Sequence, residues 1–146
     1  MKRGKAERNK MELTFWNLPE NERIGRTAAA AFASMTDPTL EELSDFKTAV
    51  SEAVTNAIIH AYPDEKGEII MCLEREGSQV TVTVKDAGVG IKDIPKSMEP
   101  LYTTMPEGER SGMGFTFMEA FTDRLSVESE PGKGTIVRMT KKMGGE

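Results

Sequence analysis

The sequence predicts an α+β fold, a mostly antiparallel sheet with helices on one face. Two observations lead there. The apolar patterning runs strand, helix, helix, strand, strand, loop, helix, strand, strand, which does not alternate as a parallel fold would. The later strands also come as adjacent pairs around glycine turns, Glu76-Gly77-Ser78 and Pro131-Gly132-Lys133-Gly134, as hairpins do. No internal repeat is visible, and 146 residues suit one domain with a core of its own, here placed at residues 11–142.

Each element has its own signal. Lys2, Arg3, Lys5, Arg8 and Lys10 crowd the first ten residues, with Glu7 the only acid. That stretch reads as a solvated, frayed basic arm, and an arm for a nucleic acid or an acidic partner is the other reading. Met11 to Trp16 alternates weakly and is rich in β-formers, which predicts a first strand. Pro19 to Met35 reads as a helix begun near the proline and carried by alanines. Asp37-Pro38-Thr39 breaks it, and Thr39 with Glu42 has the spacing of a capping box. The helix that follows is the clearest in the chain. Its apolar stripe is Leu40, Leu43, Phe46, Val50, Val54, Ala57, Ile58 and Ala61, and Pro63-Asp64 ends it.

Glu68 to Arg75 is apolar on both faces and predicts a central strand. Val80, Val82 and Val84 alternate with Thr81, Thr83 and Lys85, the strongest strand signal present. Periodicity then disappears from Lys92 to Arg110, a length that in a compact domain marks a functional loop or lid, placed at about residues 93–111. Phe115 to Phe121 reads as a short helix, Arg124 to Glu130 and Thr135 to Lys142 as a closing hairpin, and residues 143–146 as a tail.

Composition narrows the function. Nineteen lysines and arginines against 24 aspartates and glutamates leave a net charge of −5, which argues against general nucleic-acid binding. The single cysteine, Cys72, excludes an internal disulfide and suits a reducing compartment, and no His/Cys cluster could form a zinc site. The longest apolar run, Ala28 to Ala33, is too short to span a bilayer, and no signal-peptide pattern precedes it. A cytoplasmic protein without a membrane partner is expected.

Three segments carry chemistry. In the first, Glu52 and Asn56 lie four residues apart and share one helical face, opposite the apolar stripe. A solvated polar face is one reading. Against it, Ser51, Thr55 and Asn56 are poor choices for an exposed helix surface. Asn56 offers a neutral oxygen to a hard cation such as Mg²⁺, which takes few protein ligands and keeps waters, and Glu52 offers a base at the same depth. His60 reads as a helix-end hydrogen-bonding residue in preference to a catalytic one.

In the second segment, Asp86 continues the Val80/Val82/Val84 face, so its carboxylate should point inward as the strand ends. Burial of a carboxylate is costly unless it is paired or hydrogen-bonded. Two readings stand: Asp86 caps the following turn, or it accepts a hydrogen bond from a ligand donor such as the adenine amino group. Gly88 and Gly90 would let a ligand approach the backbone closely. In the third, Gly112 and Gly114 open a helix whose N–H groups can hold phosphate. Neither glycine pair completes a dinucleotide fingerprint, because Asp93 and Phe117 stand where its last glycine should be. Gly132-Lys133-Gly134-Thr135 is not a P-loop, because Val127 occupies the leading glycine position.

Order and spacing are more specific than any one segment. Glu52-x-x-x-Asn56, Asp86-x-Gly88-x-Gly90, a loop of about twenty residues and Gly112-x-Gly114 resemble the N, G1 and G2 boxes of the gyrase/Hsp90/histidine-kinase/MutL ATPase superfamily. Within it, SEAVTNAIIHAY, VKDAGVGI and PLYTTMPEGERSGMGFTFMEAF look like the small serine kinases that serve as anti-sigma factors in spore-forming bacteria, over nearly everything from Met11 to Lys142. The resemblance implies a Bergerat-type α/β sandwich that binds ATP with Mg²⁺ beneath a lid. It implies Glu52 as general base, Asn56 as the Mg²⁺ ligand, Asp86 as the adenine contact, and Gly88, Gly90, Gly112 and Gly114 as shapers of the turns around the nucleotide. Arg110 matches an arginine near the terminal phosphate. Glu22 and Arg26 match first-helix positions that contact a sigma factor and an anti-anti-sigma factor, and the plainer reading of that pair is a surface i,i+4 ion pair worth roughly 0.3–0.5 kcal/mol. Two departures are the basic extension and Met105, which sits in the lid where close relatives often carry lysine.

The expected function is therefore an ATP-dependent protein serine kinase that holds a sporulation sigma factor and phosphorylates a serine of its anti-anti-sigma factor. The alternatives are a nucleotide-gated sigma-binding module without kinase activity, the related stress-response kinase, and the ATPase fragment of a histidine kinase. The last lacks a preceding helix with a phosphoacceptor histidine. A homodimer is implied by the resemblance. It would also cover the first strand, an edge carrying Phe15 and Trp16, unless the first helix folds over both.

Overall fold

The computed structural model describes residues 7–91 and 114–144. Its elements are β1 (Arg8–Trp16), α1 (Asn21–Ala33), a 3₁₀ turn (Ser34–Thr36), α2 (Leu40–His60), β2 (Glu68–Glu76), β3 (Gln79–Asp86), α3 (Gly114–Ala120), β4 (Arg124–Glu130) and β5 (Gly134–Lys142). The strands form one antiparallel sheet in the order β1-β2-β3-β5-β4. The α+β class is as the element order predicts.

Register decides which side chains meet the helices. Met71 opposes Leu13 and Val84, and Leu73 opposes Met11 and Val82. Val137 and Met139 continue these rows into β5. Ile69, Met71, Leu73, Val80, Val82, Val84, Val137 and Met139 are buried beneath Phe32 of α1, Phe46, Val50 and Val54 of α2, and Phe115 and Met118 of α3. Alternate residues such as Lys10, Glu12, Thr14 and Glu74 look the other way and are exposed, so the helices cover one face only. β2 is interior to the sheet as expected, but Ile70 and Cys72 on its second face are only half-buried.

The capping box forms as its spacing predicts. Glu42 N–H donates to Thr39 Oγ1 at 3.1 Å, and Thr39 N–H donates to Glu42 Oε1 at 2.8 Å. The second bond is the largest cause that lowers the Glu42 pKa. The same Oε1 accepts Gly144 N–H at 3.1 Å, which ties the end of the described chain to the start of α2.

Four expectations shift. β1 begins at Arg8, not Met11, because Arg8 to Lys10 pair with Glu76 to Glu74 and Arg8 Nη2 meets Glu76 Oε2 at 3.0 Å. Three residues assigned to the basic arm are thus strand. Leu40 is 87% exposed. At about 100° per residue it lies some 90° from the centre of the α2 stripe, where only the far end of the helix is covered. Met143, read as the start of a tail, is fully buried, and its N–H donates to Ser78 O at 2.7 Å. Of the two aromatics on the edge strand, Phe15 is covered by α1, its ring 3.6 Å from where a Cβ on Gly25 would lie. Trp16 stays 43% exposed, with the Lys66 ammonium 4.7 Å above its ring. The expected lid lies outside the described residues.

Removing the Thr39 hydroxyl should cost the cap. Thr39→Ala is expected to destabilise the protein by about 1 kcal/mol, seen in urea unfolding as a lower midpoint with an unchanged slope.

Candidate nucleotide site

The site starts on α2. Its 21 residues run without a break, so Glu52 and Asn56 lie one turn apart on the arc opposite Leu43 and Val54. Both are half-buried, as are Ser51 and Thr55 beside them, which is not the profile of a solvated polar face. His60 occupies the last turn of the same helix.

The second component is the turn after β3. Asp86 pairs with Ile69 and Thr135 and so belongs to the inward-facing row, as the alternation predicts. Gly88 N–H donates to Asp86 Oδ1 at 2.9 Å, so the capping reading is realised. A carboxylate has about four acceptor positions, and the bond from Gly88 N–H leaves it capacity for a ligand donor. Burial raises the Asp86 pKa, and the backbone N–H groups of Gly88 and Thr135 offset part of the rise.

Contact with α2 places this turn. Val89 N–H donates to the Ala61 carbonyl at 2.8 Å, and a Cβ on Gly88 would lie 2.0 Å from that oxygen. No other residue fits without moving the helix end. Gly90 has φ +80°, and on that side the chain is held by the β4–β5 hairpin. Gly132 N–H donates to Val89 O at 2.7 Å, and Ile91 N–H donates to Ser129 Oγ at 2.7 Å. Asp86, Gly88 and Gly90 are thereby fixed against the end of the helix that carries Glu52 and Asn56. Gly114 opens α3, whose Phe115 and Met118 share the core with α2. Arg110, Gly112 and Met105 lie outside the described residues.

Glu22 and Arg26 sit apart from this turn, on α1. Glu22 Oε2 lies 3.0 Å from Arg26 Nε and accepts the Ser51 hydroxyl at 2.7 Å. Arg26 Nε is buried, and its contact with Glu22 is electrostatic, without the alignment of a hydrogen bond. The pair is more than a surface ion pair, because it ties α1 to the residue next to Glu52.

Sequence reasoning missed two residues that hold the site. Tyr62, just past α2, donates from its hydroxyl to Glu68 O at 2.7 Å and accepts Ala87 N–H at 2.8 Å. Asn17 brackets the loop behind it, donating from its backbone N–H to Gly67 O at 3.0 Å and accepting Gly67 N–H on Oδ1 at 2.9 Å. The only signals were a tyrosine before the helix-ending proline and a lone asparagine after β1.

Mg²⁺ is compatible with this donor set. Among the described residues no three His, Cys, Asp or Glu side chains cluster as a cage would require. One half-buried carboxamide at Asn56 suits a cation that takes most of its ligands from phosphate and water. The open cleft of about 430 Å³ lined by Arg8, Glu74, Arg75 and Thr81 lies toward the other end of β2 and β3 and is not part of the site.

The Asp86 pKa has a consequence for stability. Between the ordinary aspartate value, where the unfolded chain loses its proton, and the higher folded value, the folded state binds more protons. This group's contribution to stability therefore falls as pH rises through that window. Asp86→Asn keeps an oxygen for Gly88 N–H and removes the charge. It should melt above the parent at neutral pH, with the gap closing as pH falls from the raised folded value to the ordinary aspartate value, as calorimetry across pH would record.

Comparison with known proteins agrees with this geometry. Residues 15–141 match the family model of the histidine kinase-like ATPase domain. The chain is 55% identical over 138 residues to the anti-sigma F factor of Thermoanaerobacter sp. (strain X514), covering 94% of this chain and 96% of that one. It is 57% identical over 134 residues to the anti-sigma F factor of Clostridium acetobutylicum, covering 92% and 94%. Among solved structures, the RsbU and RsbW domains of a Mycobacterium tuberculosis protein match with a TM-score of 0.68 at 18% identity, over 94% of this chain and 33% of that longer one. The catalytic domain of the histidine kinase ThkA matches with a TM-score of 0.58 at 18% identity, over 91% and 96%. These two structures bear on the fold alone. The chain belongs to the histidine kinase-like ATPase family and, within it, stands with the anti-sigma F factors.

Proposed function

We propose that the protein is an ATP-dependent serine kinase that sequesters a sporulation sigma factor and phosphorylates a serine of the matching anti-anti-sigma factor. The observation that carries this reading is the packing of the Asp86–Gly90 turn onto the end of the helix bearing Glu52 and Asn56. That packing supports the reading by bringing Asp86 toward the helix of Asn56 and Glu52, to which it assigns base recognition, cation binding and general-base chemistry. The names of the relatives, anti-sigma F factors, supply the sigma-factor partner.

Bound ATP with Mg²⁺ supplies the phosphoryl group and the charge neutralisation that phosphoryl transfer mainly needs. The protein's own part is positioning. Asp86 accepts the adenine amino group, Asn56 holds Mg²⁺, and Glu52 takes the proton from the partner's serine hydroxyl. Gly88, Gly90, Gly112 and Gly114 shape the backbone around the nucleotide, and Arg110 adds positive charge at the terminal phosphate. Both protein partners share the α1 surface at Glu22 and Arg26. The working state is a cytoplasmic homodimer. The exposed Trp16 on an edge strand supports a covering partner chain. Among the described residues no helix is long and apolar enough to cross a membrane.

The second reading is a nucleotide-gated module that holds its partner without phosphorylating it. Glu52 favours the kinase, because binding alone has no need of a base one turn from the cation ligand. A mass gain of about 80 Da on a partner serine separates the two readings.

Two outcomes test the proposal. Glu52→Gln should bind ATP like the parent and lose about 10²–10⁴-fold in phosphotransfer to the anti-anti-sigma protein. Transfer at the parental rate would remove Glu52 as the base. Arg26→Ala should weaken binding to both protein partners by about thirtyfold, the scale of an interface hot spot, while nucleotide affinity measured by calorimetry stays as in the parent.

A further inference from the structure

Tyr62 occupies an unusual place in the sheet. The register that pairs Ile69 with Asp86 would next oppose Glu68 and Ala87. At that step the phenol oxygen of Tyr62 stands between them. It donates to the Glu68 carbonyl at 2.7 Å and accepts the Ala87 N–H at 2.8 Å. A phenol has one proton to give and lone pairs to receive, so both roles are filled with the right polarity. A side chain from the end of α2 thus takes the place of a ladder rung, one residue past Asp86.

The ring is also held in place. A Cβ on Gly67 would lie 2.4–2.5 Å from three of its carbons, so the ring rests directly on the Gly67 backbone. That backbone is anchored in turn by Asn17, through the two bonds to Gly67 and a third from Nδ2 to Glu65 O at 3.0 Å. Three successive N–H groups after Asp86 then have defined acceptors: Ala87 to Tyr62, Gly88 to Asp86 itself, and Val89 to Ala61. The first and third acceptors are consecutive residues at the end of α2.

We propose that Tyr62 is a positioning residue that sets base selectivity, by fixing the direction in which the Asp86 carboxylate faces the nucleotide base. This rests on the reading of Asp86 as acceptor of the adenine amino group. Hypoxanthine carries a carbonyl where adenine carries that amino group. A carboxylate held rigidly there opposes an acceptor with an acceptor, and sites built for a hydrogen bond reject analogues that lack it. Without the Tyr62 hydroxyl the Ala87 end of the turn loses its tether. The carboxylate can then turn toward the N1–H of hypoxanthine, and the two bases become less distinct.

The test measures dissociation constants for ATP and for inosine triphosphate on the full chain, by titration calorimetry with Mg²⁺. Tyr62→Phe keeps the ring on Gly67 and removes only the hydroxyl. Its preference for ATP over inosine triphosphate should fall by about three- to tenfold, the scale of one hydrogen bond. A variant that weakens both nucleotides by the same factor would overturn the proposal and leave Tyr62 as a purely structural staple. Asp86→Asn separates the two levels. If it keeps the parental preference, Asp86 does not read the base, and both the reading and the proposal fail. If it loses the preference while Tyr62→Phe keeps it, only the role of Tyr62 fails. Should Tyr62→Phe not fold, Asn17→Ala carries the test by freeing the loop behind the ring. The preference should fall in the same direction, and an unchanged preference overturns the proposal.

Discussion

The backbone contact between Gly88 and the Ala61 carbonyl is the constraint on which the rest of the site depends. The last carbonyls of a helix have no partner within it. Here the Ala61 carbonyl is satisfied by Val89 N–H from the turn after β3. The end of α2 and the position of that turn are therefore settled by one interaction, and it requires a residue without a Cβ. The distance along α2 from Asn56 to Ala61 then fixes how far Asn56 stands from the turn that carries Asp86. On the opposite side Gly132 and Ser129 hold the same turn from the β4–β5 hairpin. The helical layer and the far end of the sheet meet there.

The core supports this arrangement by an unequal division of volume. The sheet supplies bulk at Met71, Leu73 and Met139, and α2 supplies Ala49, Ala53 and Ala57 among its buried positions. Small residues there let α2 lie close to its neighbours while its opposite arc remains polar. Asp86 is the exception to an apolar inward row, and its raised pKa shows what that placement costs. A local departure of this kind at the end of a well-patterned strand is where a functional residue is to be expected.

Much of this was legible in the sequence, for physical reasons that can be named. The Val80/Val82/Val84 alternation gave both β3 and the inward direction of Asp86, because side-chain direction in a strand follows from parity alone. Thr39 and Glu42 gave the start of α2, because the capping box is local. What stayed hidden depends on distant partners. The true start of β1 is set by pairing with Glu76, and the burial of Met143 by docking near Ser78. Tyr62 acts on Ala87, 25 residues away, through a contact that only the folded loop creates. The misjudged Leu40 is different in kind: the period was right, but the edge of an apolar stripe is buried only where another element reaches it.

The strand order also bears on how the chain is made. β5 is the last strand in the described sequence, yet it lies inside the sheet, between β3 and β4. On the ribosome, β3 is complete at Asp86 while its partner is complete only 56 residues later, at Lys142. At about 5–20 residues per second that interval is roughly 3–11 s. Throughout it the valine-rich β3 is an open edge, the kind of surface to which other nascent chains can pair. The Asp86–Gly90 turn is unfinished for the same interval, since Ser129 and Gly132 have yet to arrive. Competence to hold nucleotide therefore comes with the final hairpin, and a chain released early would present an unpaired strand in place of a working site.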